Sequence, residues 1–73
     1  MTSKELRDRF SGMLRAWMSE NGATTRSLAE AVGVSSAAPQ RWATGGSLPR
    51  AYELRCLCEA TGMSADELLG LDR

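Results

Sequence analysis

A chain of 73 residues with 42% apolar content has enough for one compact core and too much for a disordered polymer, and no apolar run approaches the ~20 residues of a membrane-spanning helix. Nine basic and nine acidic side chains cancel, and two cysteines with no histidine are too few for a structural zinc site. The opening MTSKELRDRF has no apolar signal core, so the expectation is a single domain spanning 1–73 in a reducing cytoplasm, with no metal and no cofactor.

Every segment has helical periodicity, and no alternating run is long enough for a strand. Leu6, Phe10, Met13, Leu14 and Trp17 share one stripe about 100° wide. Thr2 and Glu5 have capping-box spacing and Asn21-Gly22 is a stop, which places the first helix from about Ser3 to Glu20. The second runs from about Thr25 to Val32, with Thr24 or Thr25 as cap and Gly33 as terminator, and turns Leu28, Ala29 and Val32 inward. Ser35 or Ser36 opens the third, which ends at Thr44-Gly45 and carries Pro39 in or just after its first turn. Pro49 is suited to open a fourth helix, whose inner face holds Ala51, Leu54, Leu57, Cys58 and Thr61 and which Gly62 stops. Ser64 and Glu67 repeat the capping-box spacing before a last short helix.

The net charge hides a polarity. Residues 24–50 hold Arg26, Arg41 and Arg50 against Glu30 alone, whereas residues 51–73 hold Arg55 and Arg73 against Glu53, Glu59, Asp66, Glu67 and Asp72. The basic part coincides with SSAAPQRWATG, a helix with an outer face of serine, alanine, glutamine and arginine. Such a face does little for a fold, which points to a reader outside the chain. The two central helices, joined by a short turn around Gly33, have the helix-turn-helix layout over about 24–45, in which the second helix enters the DNA major groove. With Ala38 and Trp42 facing inward, the opposite face presents Ser36, Ala37, Gln40, Arg41 and Thr44. Arg41 can pair with guanine O6 and N7 or hold a phosphate, Gln40 can pair with adenine, and Ala37 can touch a thymine methyl. Ser36 is either a base contact or only a cap. Thr25, Arg26, Thr44, Gly46, Ser47 and Arg50, with neighbouring backbone amides, are the candidate phosphate contacts.

LAEAVGVS, then QRWATG, LP and ELRCLCEATGMSADELLG, resembles the Cro/CI-type (XRE-like) helix-turn-helix family of phage and bacterial repressors. Leu28, Ala29, Gly33, Val34, Ser35, Trp42, Gly45, Pro49, Leu54, Gly62, Ser64, Leu68 and Leu69 fall at matching spacings, over roughly residues 10 to 70. Thr25 stands where the family commonly has glutamine, Pro39 where a β-branched residue is usual, and Ala43 where an acidic residue often follows the tryptophan. The resemblance implies an all-α, compact bundle of five short helices, a lambda-repressor-like DNA-binding domain with base contacts at Ser36 and Ala37. It implies a transcriptional regulator, a Cro- or CI-like repressor of phage or prophage, that binds a palindromic double-stranded operator as a homodimer.

The other side chains have plainer readings. Trp17 and Trp42 lie on apolar stripes and are assigned to the core. Cys58 faces inward, and Cys56 points outward as a candidate redox thiol. Tyr52 faces out, either to pack on a partner, to reach a phosphate, or to no purpose. Leu68, Leu69 and Leu71 either form the dimer surface or close the monomer core. Without histidine, a glycine-rich phosphate loop or a nucleophile beside a base, no enzyme and no small-molecule ligand is expected. The competing function is a helix-turn-helix module that binds protein, an antitoxin or adaptor, for which the zero net charge speaks.

Overall fold

The computed structural model describes residues 1–71; Asp72 and Arg73, counted in the acidic C-terminal third, lie outside the described residues. Five helices follow one another: α1 (Ser3–Asn21), α2 (Thr25–Val32), α3 (Ala37–Thr44), α4 (Ala51–Thr61) and α5 (Ala65–Leu69). Their starts are chemically determined. At α1 the Thr2 hydroxyl accepts from the Glu5 amide at 3.1 Å, and the Glu5 carboxylate accepts the Thr2 amide at 3.4 Å. At α2 the cap is Thr24: its hydroxyl accepts from the Ser27 amide at 3.0 Å and the Ser27 hydroxyl oxygen accepts the Thr24 amide at 2.9 Å. Such a cap contributes about 1 kcal/mol. Ser64 caps α5 through the Glu67 amide at 3.1 Å.

One start has the expected position without the expected bond, and one is displaced from the sequence reading. α3 begins at Ala37, and the Ser36 hydroxyl makes no capping bond, because Ser36 has helical backbone angles (φ −63°, ψ −20°) that aim its side chain away from the first-turn amides. α4 begins at Ala51, two residues after Pro49. Arg50 is its extended flanking residue, and the Arg50 amide donates to Glu53 Oε1 at 2.8 Å. Pro49 therefore sits outside the helix it was expected to open.

α1 packs on α3 and α5, while α2 packs on α3 and α4, and α4 also touches α5. The core between them holds Phe10, Leu14, Leu28, Val32, Ala38, Trp42, Ala43, Leu57 and Leu68, flanked by half-buried Met13, Trp17, Met18, Val34, Leu48 and Leu54. Trp42 is 2% exposed and Pro39 is also enclosed. Leu68 is fully buried, so the reading of that leucine as a dimer contact gives way to the alternative in which it closes the core; Leu69 is half-buried and Leu71 is exposed. Ala51, assigned to the inner face of α4, is exposed, because α5 leaves the start of that face uncovered. Cys56, assigned to solvent, is half-buried and packs against the core, because α4 is flanked by α2 on the side where Cys56 and Ala31 lie together.

Both cysteines are free thiols. Burial pushes the Cys58 thiol above its ordinary range. The thiolate is the nucleophile, so in a Cys56→Ser background Cys58 is expected to alkylate more slowly at pH 8 than the same chain in denaturant. Equal rates, followed by mass spectrometry, would show that burial does not govern it. The nearby Cys56 thiol, one turn along, pushes the Tyr52 hydroxyl pKa above its ordinary value. No described helix is long and apolar enough to cross a membrane.

Candidate nucleic-acid interface

The site is built on the turn between α2 and α3. The Gly33 and Val34 amides donate to the Ala29 carbonyl at 2.8 and 3.0 Å, which closes the end of α2. That closure needs Gly33 at φ +85°, ψ +35°, a left-handed conformation costly for residues with a Cβ. The chain then turns over half-buried Val34, which packs against the core, and enters α3. Ala29 is 3% exposed, and its small side chain lets α3 approach α2.

α3 is divided cleanly between its two faces. Ala38, Pro39, Trp42 and Ala43 are buried. Ser36, Ala37, Gln40, Arg41 and Thr44 are all exposed. Among the described residues the Gln40 side-chain carboxamide and the Arg41 guanidinium make no hydrogen bond or ion pair, so the fold makes no use of either. Pro39 is accommodated because the third residue of a helix has no intrahelical acceptor for an amide, and its ring fills space beside Trp42.

The far end of α3 accounts for its orphan carbonyls. The Gly46 amide donates to the Arg41 carbonyl at 2.9 Å, and the Gly45 amide to the Trp42 carbonyl at 3.4 Å, with Gly45 left-handed at φ +82°. The Thr44 hydroxyl also donates to the Arg41 carbonyl, at 3.2 Å. The Ala43 carbonyl accepts from Ser11 Oγ at 2.6 Å. Ser11, on α1, is the one buried polar residue of the described chain, and it ties that helix to the base of α3. Its role escaped the sequence reading. The available clue was a small polar residue three positions before Leu14 on the apolar stripe.

The candidate phosphate contacts are less uniform. Arg41 and Arg50 both line an open groove of about 420 Å³ beside α3, with Ser35, Ser47, Leu48 and Glu53. Thr25 is half-buried in the first turn of α2. Arg26 is exposed but pairs with Glu30 at 3.6 Å, which offsets part of its charge. Gly46 departs from the expectation: its amide closes the end of α3 and is not free to hold a phosphate. The Arg50 amide is likewise engaged, leaving its guanidinium as the available group.

Residues 9–71, most of the chain, match the family described as a helix-turn-helix domain. No curated protein and no solved structure matches the chain. A capped helix, a left-handed glycine turn and a second helix with an unused polar face all fall inside the matched span, and the chain belongs to the helix-turn-helix domain family.

Proposed function

We propose that this protein is a sequence-specific, double-stranded DNA-binding transcriptional regulator that uses α3 as its recognition helix. The observation that carries this reading is the division of α3: one face is sealed into the core, and the other offers Ser36, Ala37, Gln40 and Arg41 to solvent without a structural task. Arg41 reads guanine through a bidentate bond, Gln40 reads adenine, and the short side chains at Ser36 and Ala37 let the helix start lie close to the base edges. Arg50, Ser47 and Thr25 set the register on the phosphates. The regulator we propose is a Cro- or CI-like repressor of phage or prophage, working in the cytoplasm by occluding a promoter, with no chemistry on the DNA and no cofactor.

One helix of eight residues reads only a few base pairs, so useful affinity comes from two copies on a two-fold operator with half-sites about one turn, ~34 Å, apart. A copy measures 30 × 23 × 22 Å, which is the right scale for two side by side to reach such half-sites.

Selection of bound duplexes from a random pool tests the reading. The unmodified chain is expected to enrich a palindromic site, and Arg41→Ala to relax it at one position per half-site, losing about 1–3 kcal/mol of discrimination there. Affinity should fall steeply with salt as counterions are released. The zero net charge is what favours a protein-binding module, an antitoxin or adaptor, instead. No enrichment at low salt from folded protein would overturn the operator-binding reading and direct the search to a protein partner.

A further inference from the structure

Beside the exposed face of α3, the outer side of α4 leaves apolar side chains partly open to solvent. Ala51, Leu54 and Cys58 of α4, with Ala65 at the start of α5, line an open groove of about 400 Å³, and Arg55 and Glu59 stand along its rim. Leu54 and Cys58 are only half-buried and Ala51 is exposed, so the floor is open to solvent. α4 packs on α2 and touches α5, and neither closes the groove. Arg55 and Glu59 are one turn apart, 3.3 Å from nitrogen to oxygen, with side chains 82% and 69% exposed.

We infer that this α4 groove is where a second copy of the chain docks, in a two-fold, antiparallel arrangement. A two-fold axis perpendicular to α4 exchanges the ends of the helix. Arg55 of each copy then faces Glu59 of the other, so the charge pattern complements itself twice, and the apolar floors meet between the two pairs. No residue of the exposed face of α3 takes part, so both recognition helices stay uncovered. The first turn of α4 is common ground: Ala51 belongs to the docking groove, and the adjoining Arg50 and Glu53 belong to the groove beside α3. The two copies therefore meet next to the surface that faces DNA, where a two-fold operator requires them. This surface replaces Leu68, which is sealed inside the core. It is small, so association in free solution is weak and DNA tightens it.

The inference rests on the operator-binding reading for its purpose, but its test uses no DNA. Sedimentation equilibrium of the whole chain, at high concentration and under reducing conditions, compares the unmodified protein, Arg55→Glu, Glu59→Arg and an equal mixture of the two variants. Each variant alone sets like charges against each other twice, and its dimer is expected to weaken about tenfold or more. The mixture restores opposite charges at both contacts and should associate about as tightly as the unmodified chain. A change confined to the intrahelical pair would not produce that rescue. Both positions are exposed, and circular dichroism checks that the fold is kept; Leu54→Glu, which puts a charge on the floor, should also remove the dimer. An unmodified chain that stays monomeric, variants that associate normally, or a mixture no tighter than either variant would overturn the inference. Failure here would leave a selected DNA site standing, and failure to select a site would leave the dimer standing.

Discussion

Trp42→Ala is expected to leave little of the protein folded. The indole is 2% exposed at the centre of the core, and truncating a fully buried aromatic residue costs about 3–5 kcal/mol, from lost transfer energy and from the cavity left behind. A chain of 73 residues has a total stability of roughly 4–11 kcal/mol, at ~0.05–0.15 kcal/mol per residue. The substitution thus removes a large share of it. Urea unfolding followed by far-UV circular dichroism measures this directly. The midpoint should fall sharply with the slope unchanged if the two-state transition survives. Trp17 is the internal comparison: it is half-buried at the margin of the same core, and Trp17→Ala should cost clearly less. Equal costs would mean that the base of α3 is not the centre of the core.

Ser11→Ala is the second substitution with a large expected effect, although it removes one oxygen atom. The Ser11 hydroxyl donates to the Ala43 carbonyl at 2.6 Å, and Ser11 is 4% exposed. That carbonyl belongs to the last turn of α3, where no amide further along the helix can reach it. Losing the donor leaves a buried acceptor unpaired, at about 1–3 kcal/mol. The bond also fixes the end of α3 next to Arg41 and Thr44, so the selected DNA site should be bound less tightly by the folded Ser11→Ala chain. Measurement at a temperature where both proteins are fully folded separates that effect from stability. A lowered urea midpoint with unchanged affinity would confine Ser11 to the fold.

Most helix boundaries could be read in the sequence because the chain marks them with side chains that make local bonds. Thr2, Thr24 and Ser64 find their amides three residues on, which is a distance along the chain and independent of tertiary packing. The apolar stripe of α1 and the two-sided character of α3 were legible for a similar reason: helical period alone sorts their residues. Assignments failed where a second neighbour decides. Cys56 lies opposite the core-facing Leu57 side of α4 by period, and only the arrival of α2 buries it. Ala43 stands where an acidic residue often follows the tryptophan, yet it is enclosed because α1 lies across that face. The Gly46 amide looked available to a phosphate until the closing bonds of α3 engaged it. Ser36 does flank α3 at its start, but its helical backbone angles leave the hydroxyl without a capping bond. For the candidate interface, the outward set on α3 followed from period, whereas the groove joining Arg41 to Arg50 depends on how the α3–α4 loop folds back.

The pairing of α1 with α5 bears on the order in which the chain can acquire its structure during synthesis. The first helix of the domain buries Phe10 and Leu14 against partners that include Leu68, and the Arg9 guanidinium donates to the Glu67 carbonyl at 2.9 and 3.2 Å. The stripe of α1 is therefore fully covered only once both α3 and α5 are in place. The recognition helix is made between α1 and α5, and the wall that α1 provides for it gains its own support only when the last helix arrives. Closing the first element of the domain onto the last thus completes the support behind α3 and its exposed polar face.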